Sequence, residues 1–242
     1  MRQPGQHRQW EAYSRANSLV NPETIEQLEA SHCKYLIIGF ESMSPVSLKN
    51  MSKRVTADQN VQAIEALRGR GVEFHGSFMA GYPGESPEDY EHTHRFLVDR
   101  YHGRFNVYIF MFMDETMPVW QDAPMYDLQV SSGWMWKHSG MSSQTAMKLQ
   151  DRTIREVRWK NDDAVLNLWQ SNFMRPMLPT EPFRTGPRIE KAIERLAFCV
   201  HDLGEHADTA ARCRGLLDEL ESLGVDTGAR AWHSRTESLP MT

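Results

Sequence analysis

Two stretches, YLIIGFES (Tyr35 to Ser42) and SFMAGYPGE (Ser77 to Glu85), decide how this chain is read. Each is a short apolar run that stops at a glycine-containing turn. Between them lies a helical pattern, Ala57 to Arg70. It opens with the capping box Thr56-Ala57-Asp58-Gln59 and carries Val61, Ile64 and Leu67 at helical spacing. Strand, loop, helix, strand, loop is the order of a parallel βαβ unit. Its two loops leave the carboxyl ends of neighbouring strands, where α/β folds place their ligands. Glu41 and Ser42 are expected to project from that rim, a carboxylate to accept from a ribose hydroxyl or an ammonium and a hydroxyl to donate. Spacing does not separate this from a carboxylate capping a neighbouring helix. Gly81 and Gly84 bracket Tyr82-Pro83, a tight turn with bare backbone that a ligand ring can approach. Glu85 and Ser86 stand at a helix mouth, where either serves the cap.

Outward from this unit the same grammar repeats. A short strand is expected within Trp10 to Leu19, ending near Arg15, then a helix from Asn21-Pro22-Glu23-Thr24 to about His32. Lys34 to Phe40 and Val72 to Ala80 are strands, and Ser86-Pro87-Glu88-Asp89 starts a helix with Tyr90, Thr93, Phe96 and Leu97 buried. Arg104 to Met113 is a further strand. Residues 114–140, rich in Pro, Met, Trp and Gly, are too long for a simple connection, and their aromatics argue against disorder. Helices follow from Ser142 or Ser143 to Lys160, from Asp163 to Phe173 with Asp162-Asp163 as its cap, from Pro187 to Leu203, and from Ala207 to Leu223. The tail from Asp226 reads as disordered. The expected class is α/β: a partial parallel (β/α) barrel lacking its first strands, followed by a mostly helical carboxyl-terminal region. The expected divisions are residues 1–113, 114–225 and 226–242.

Composition narrows the function. The 242 residues are 40% hydrophobic and 24% charged, with a formal net charge of -5. No basic cluster is large enough to count phosphates, so nucleic acid is not an expected partner. No apolar run reaches the roughly 18 residues of a membrane span, and the first residues lack a secretory h-region. Cys33, Cys199 and Cys213 are odd in number and scattered, which points to a reducing, cytoplasmic setting. His92 and His94 lie two apart on a helix and make a poor metal pair. No Ser/His/Asp ordering or phosphate-binding GKS loop is present.

In order, IGFES-x(2)-P-x(2)-L-K-x-M-x-K, then the Thr56 helix, then FMAGYPGES-x-E-D resemble the radical S-adenosylmethionine (radical SAM) enzymes, in particular their cobalamin-dependent branch. The resemblance covers about Trp10 to Met113. It matches Gly39, Glu41, Ser42, Leu48, Lys49, Met51 and Lys53 to the fourth-strand block, and Gly81, Pro83, Gly84 and Glu85 to the fifth. It implies that the first block lies near the ribose and methionyl part of S-adenosylmethionine and the second near its adenine. The cofactor-binding candidates are therefore Arg15, Glu41, Ser42, Gly81, Tyr82, Pro83, Gly84 and Glu85. WMWKHSGMSSQTA (Trp134 to Ala146) resembles a Trp-x-His-x-x-Met segment of the phosphinothricin-type P-methyltransferases. That makes His138 a substrate-side candidate; a histidine satisfied within a core is its commoner fate.

By that resemblance a parent enzyme would reduce S-adenosylmethionine to a 5′-deoxyadenosyl radical, abstract hydrogen from a small-molecule substrate and pass on a methyl group from methylcobalamin. The family holds a 4Fe-4S cluster through CxxxCxxC, with one iron left open for the cosubstrate. That motif is absent here, and so is a cobalamin-binding domain ahead of Met1. The chain is expected to be a fragment, a misplaced start or one half of a split gene, inactive alone, with the missing amino-terminal half as a partner in trans. The rival expectations are a non-catalytic remnant or partner subunit binding an adenosyl ligand, and a radical enzyme of another type, such as a methylthiolase.

Overall fold

The computed structural model describes residues 9–167, 186–201 and 208–227. The chain divides into two compact units, Met1–Ala164 and Val165–Thr242. In the first, β1 (Trp10–Ser14), β2 (Cys33–Glu41), β3 (Glu73–Ala80) and β4 (Gly103–Ile109) form a sheet in which each neighbouring pair is parallel. The sheet's strand order is β1-β2-β3-β4-β7, with the short β7 (Ala164–Leu166) spanning the division between the units. The helices α1 (Pro22–Ala30), α2 (Pro45–Asn50), α3 (Ala57–Leu67), α4 (Pro87–Asp99) and α5 (Ser143–Lys160) belong to the same unit. This is the expected α/β class.

Local chemistry sets most boundaries. Asn21, Ser44, Thr56, Ser86 and Ser142 each accept a hydrogen bond from a first-turn amide of the helix they precede. Thr56 and Ser86 complete full capping boxes, with Gln59 and Asp89 reaching back. Pleat alternation then divides the sheet. Leu36, Ile38, Phe40, Phe78 and Ala80 are buried on one face; Ile37, Gly39, Glu41, Ser77, Met79, Asn106 and Tyr108 fall on the other, which stays partly open. Registers Gly39↔Ser77↔Asn106 and Met79↔Tyr108 align the open-face residues across strands.

Four expectations need correction. A helix, α2, stands at Pro45–Asn50 where the sequence reading placed only loop. The strand expected from Arg104 to Met113 ends at Ile109; beyond it the Phe110 amide reaches the Ala80 carbonyl and the Phe112 amide the Gly133 carbonyl, so the chain leaves the ladder with its polar groups paired. Residues 114–140 are not one irregular connection: they fold into a 3-10 turn (Pro118–Trp120) and an antiparallel hairpin, β5 (Gln129–Ser132) with β6 (Met135–Lys137).

The helix expected from Asp163 instead begins as β7. Asn161 accepts from the Asp163 amide, and its Nδ2 donates to the carbonyls of Leu97 and Tyr101, both at 2.8 Å. This pins the chain as a turn, so Asp162-Asp163 is no helix cap. The rest of that expected helix, residues 202–203 of the next one, and the tail from 228 lie outside the described residues.

In the second unit, α6 (Gly186–His201) and α7 (Thr209–Ser222) pack around Ile189, Ala192 and Leu220, close to the expected spans. Among the described residues no helix is long and apolar enough to cross a membrane.

Candidate functional site

The two strand-end blocks lie side by side, because β2 and β3 are adjacent and parallel and both end at one rim. At the end of β2 the register slips between Gly39 and Glu41, and Glu41 takes φ +64°. A non-glycine residue there is uncommon and costs free energy that the surroundings must offset. Two contacts do so. Asn60 of α3, fully buried, donates from Nδ2 to the carbonyls of Phe40 (3.2 Å) and Ser42 (3.1 Å). The Glu41 carboxylate pairs with the Lys53 ammonium at 2.8 Å, each side chain about a fifth exposed. Arg15, at the end of β1, donates to the Lys53 carbonyl. Arg15, Glu41 and Lys53 thus form a charged corner at the rim.

Ser42 departs from expectation. It does not project into the cleft: it is fully buried, and its hydroxyl meets the Thr93 hydroxyl (3.2 Å) and accepts from the Ser44 amide (3.0 Å). It holds the chain entering α2 against α4.

The residues 81–85 form a turn of different character. Gly81 and Gly84 have φ of +86° and +84°. A Cβ on Gly81 would run into the Trp136 indole and the Ala146 methyl; one on Gly84 would meet the Tyr126 ring and Asn50. Only glycine serves at either position. Ser86 takes the helix cap, which leaves Glu85 to turn inward. It is fully buried, accepting from the Gly81 amide (2.7 Å) and the Ser47 hydroxyl (2.7 Å). Burial pushes its pKa up to about 7, against the lowering effect of those two donors. Tyr82 lies edge-on to Phe110, with ring centroids 5.6 Å apart.

His138 resolves in favour of the satisfied interior histidine, not a side chain facing substrate. It is buried; Nδ1 accepts from the amides of Gly84 (3.3 Å), Gly140 (3.1 Å) and Met141 (3.3 Å), and Nε2 lies 3.3 Å from the Gly81 carbonyl. Trp136 stacks on it with an interplanar angle of 8° and is itself anchored through Nε1 to the Phe110 carbonyl. Burial lowers the His138 pKa.

The sequence reading brought the correct two blocks together and missed what supports them: Ser47, Asn60, Thr93, Tyr126 and Trp136. Ser44-Pro45 was the available signal for Ser47, since it is a cap followed by proline. The open-face row Ser77, Asn106 and Tyr108, with Asn106 Nδ2 donating to the Tyr108 hydroxyl at 3.0 Å, was also missed, being visible only once strand registers are known.

No three His, Cys, Asp or Glu side chains converge as a metal site among the described residues. Cys33 is buried, and burial raises its thiol pKa. The residues present do not fit an iron–sulfur cluster. The rim itself carries a charged corner beside a glycine turn, with Gly81 packed against Trp136 and Gly84 against Tyr126.

Part of the chain is similar to known proteins. Residues 11–97 match the family model described as Radical SAM superfamily. An uncharacterized methyltransferase of Pyrococcus horikoshii is 31% identical over 96 residues, 40% of this chain and 21% of that protein. The bacteriochlorophyllide d C-12(1)-methyltransferase of Chlorobaculum tepidum is 32% identical over 90 residues, 37% of this chain and 20% of that protein. The matches thus span about a fifth of these relatives' length. Among solved structures, the radical S-adenosylmethionine methyltransferase TsrM of Kitasatospora setae, with cobalamin and a 4Fe-4S cluster bound, aligns over 88% of this chain and 45% of its own, at 14% identity and a TM-score of 0.44. With its two strand-end blocks at one rim of a parallel sheet, the stretch 11–97 is similar to the radical SAM superfamily.

Proposed function

We propose that this chain supplies the adenosyl-binding rim of a cobalamin-dependent radical SAM methyltransferase and is one portion of that enzyme. The pairing of the Glu41 corner with the residue 81–85 turn carries this reading. The corner offers a carboxylate to ribose hydroxyls or to the methionyl ammonium, and the turn offers its outer surface and the Tyr82 side chain to a flat ring. The methyltransferase names of the relatives above support the reaction class. The cluster's ligands, and with them reductive cleavage of the cosubstrate, come from a polypeptide segment carrying CxxxCxxC, and cobalamin binds outside this chain. A small molecule is the methyl acceptor. The three free cysteines suit a cytoplasmic setting.

Titration of the full chain with S-adenosylhomocysteine by calorimetry tests the reading. Saturable one-site binding, weakened about tenfold or more by Glu41→Ala, is expected; no binding, with or without a co-expressed cluster-bearing segment, would overturn it. The cysteine placement favours a second reading, a partner subunit that binds an adenosyl compound and performs no chemistry. Reconstitution with the cluster-bearing segment separates the two, since only the first predicts 5′-deoxyadenosine formation. Similarity over 104 residues, at 29% identity, to the ribosomal protein uS12 methylthiotransferase RimO of Elusimicrobium minutum keeps methylthio transfer as the alternative reaction.

A further inference from the structure

We propose that His138 is a positioning residue, a template held as one tautomer that sets the conformation of the turn at residues 81–84 for its ligand. This deepens the function proposed above and rests on it for the ligand's identity.

The imidazole touches both ends of the turn. Three backbone amides, of Gly84, Gly140 and Met141, converge on Nδ1. An N–H cannot accept, so Nδ1 carries no proton. The neutral ring then bears its proton on Nε2, which donates to the Gly81 carbonyl. The two nitrogens thus read opposite ends of a four-residue turn, one as acceptor and one as donor. The ring also ties that turn to residues 138–141, so two segments more than fifty residues apart in sequence share one hub.

Everything around the ring restricts its orientation. Trp136 covers one face in near-parallel stacking and is pinned by its own bond to the Phe110 carbonyl. Its indole fills the space that a Gly81 side chain would need. The Ser139 amide donates to the Tyr126 carbonyl at 2.8 Å, while the Tyr126 ring lies where a Gly84 side chain would stand. Both glycines are thereby held by aromatics from the 114–140 segment. The Gly81 amide goes to Glu85, so the backbone polar groups nearest the ring are committed inward. What remains for a ligand is the outer surface of the turn and the Tyr82 side chain. His138 therefore acts on a ligand through the turn and not by contact.

Two conservative variants dissect the imidazole. Asparagine places an oxygen near Nδ1 and has nothing at Nε2; glutamine places an amide near Nε2 and has nothing at Nδ1. The measurements are amide hydrogen exchange of the full chain at Gly84, Gly140 and Met141, and S-adenosylhomocysteine titration. His138→Asn should keep exchange protection and bind within about threefold of the original chain, whereas His138→Gln should lose protection at all three amides and bind about tenfold more weakly or worse. Equal losses in both variants would overturn the proposal and leave only a packing role. A nitrogen-15 NMR spectrum of the unsubstituted chain needs no variant: a protonated Nδ1 would also overturn it. Because exchange and tautomer are read without ligand, a chain that binds no adenosyl compound refutes the proposed function while these two readouts still decide the role of His138.

Discussion

The rims of β2 and β3 end neighbouring strands, yet they spend their polar groups in opposite ways. At β2 the charged side chains of Glu41 and Lys53 face each other across a partly exposed corner. Such a pair is worth little to stability, so either group can exchange its partner for a ligand at small cost. At β3 the carboxylate and the imidazole, Glu85 and His138, are buried and bonded to the backbone of the turn itself. Breaking those bonds leaves unpaired buried groups, which is expensive. One rim offers charge and the other offers shape.

The sharpest way to break this contrast is to add one methyl group to each rim. Gly81→Ala forces a side chain to positive φ and against Trp136, and should destabilise the chain by about 2–5 kcal/mol. For Gly39→Ala the nearest groups are the carboxylate of Glu41 and the ammonium of Lys53, flexible groups that can move, and the substitution should cost about 1 kcal/mol or less. Denaturant unfolding of the two variants measures the difference; similar values would remove the distinction between the rims.

Next is pH. Glu85 is raised to about 7 in the fold, so the native state holds a proton that the unfolded chain has already released above its ordinary value of 4.5. Stability from this group is present in full below about 4.5 and is lost as pH rises through 7, by up to about 3 kcal/mol. His75 works in the opposite sense. Burial, and then the Arg104 charge, lower it to about 4, so protonation of the unfolded chain removes stability as pH falls from 6.5 toward 4. Unfolding free energies from pH 4.5 to 8 should therefore show a Glu85→Gln variant without the loss on the alkaline side, while a His75→Gln variant loses the acid limb.

Smaller effects sharpen the charged rim. Asn60→Ala removes the donor to the Phe40 and Ser42 carbonyls and should cost about 1–3 kcal/mol. Lys53→Met should change stability by under about 1 kcal/mol while weakening adenosyl-ligand binding, since the Glu41 carboxylate then loses its orientation. A large stability loss with unchanged binding would place Lys53 on the structural side of the comparison.

The same contrast explains what was readable in the sequence. Helix starts were legible because a cap is a four-residue matter: Asn21, Thr56, Ser86 and Ser142 announce themselves locally. The short α2 was overlooked although Ser44-Pro45 marks it, because six residues are too few to show an apolar period. Asp162-Asp163 imitated a cap, and only the reach of Asn161 to Leu97 and Tyr101, some sixty residues back, shows it to be a turn. Glu85 was left open between cap and adenosyl-side candidate for a related reason: beside a helix start it resembles a cap, yet Ser86 fills that role and the carboxylate turns inward. Glu41 and Lys53 of the charged corner were visible as one motif because only 12 residues separate them, whereas Arg15 lies 38 residues from Lys53. The grip on the second turn was not, because Trp136 and His138 come from a distant hairpin.

That distance has a consequence for how the protein is made. The first four strands lie in the sheet in the order in which they are synthesised, so each can dock on its predecessor as the chain emerges. Nothing in that growth needs the later hairpin. The turn at residues 81–84, by contrast, stays unlatched until residue 141 has been delivered and a long loop has closed. The nascent chain therefore holds four paired strands before it holds a shaped rim.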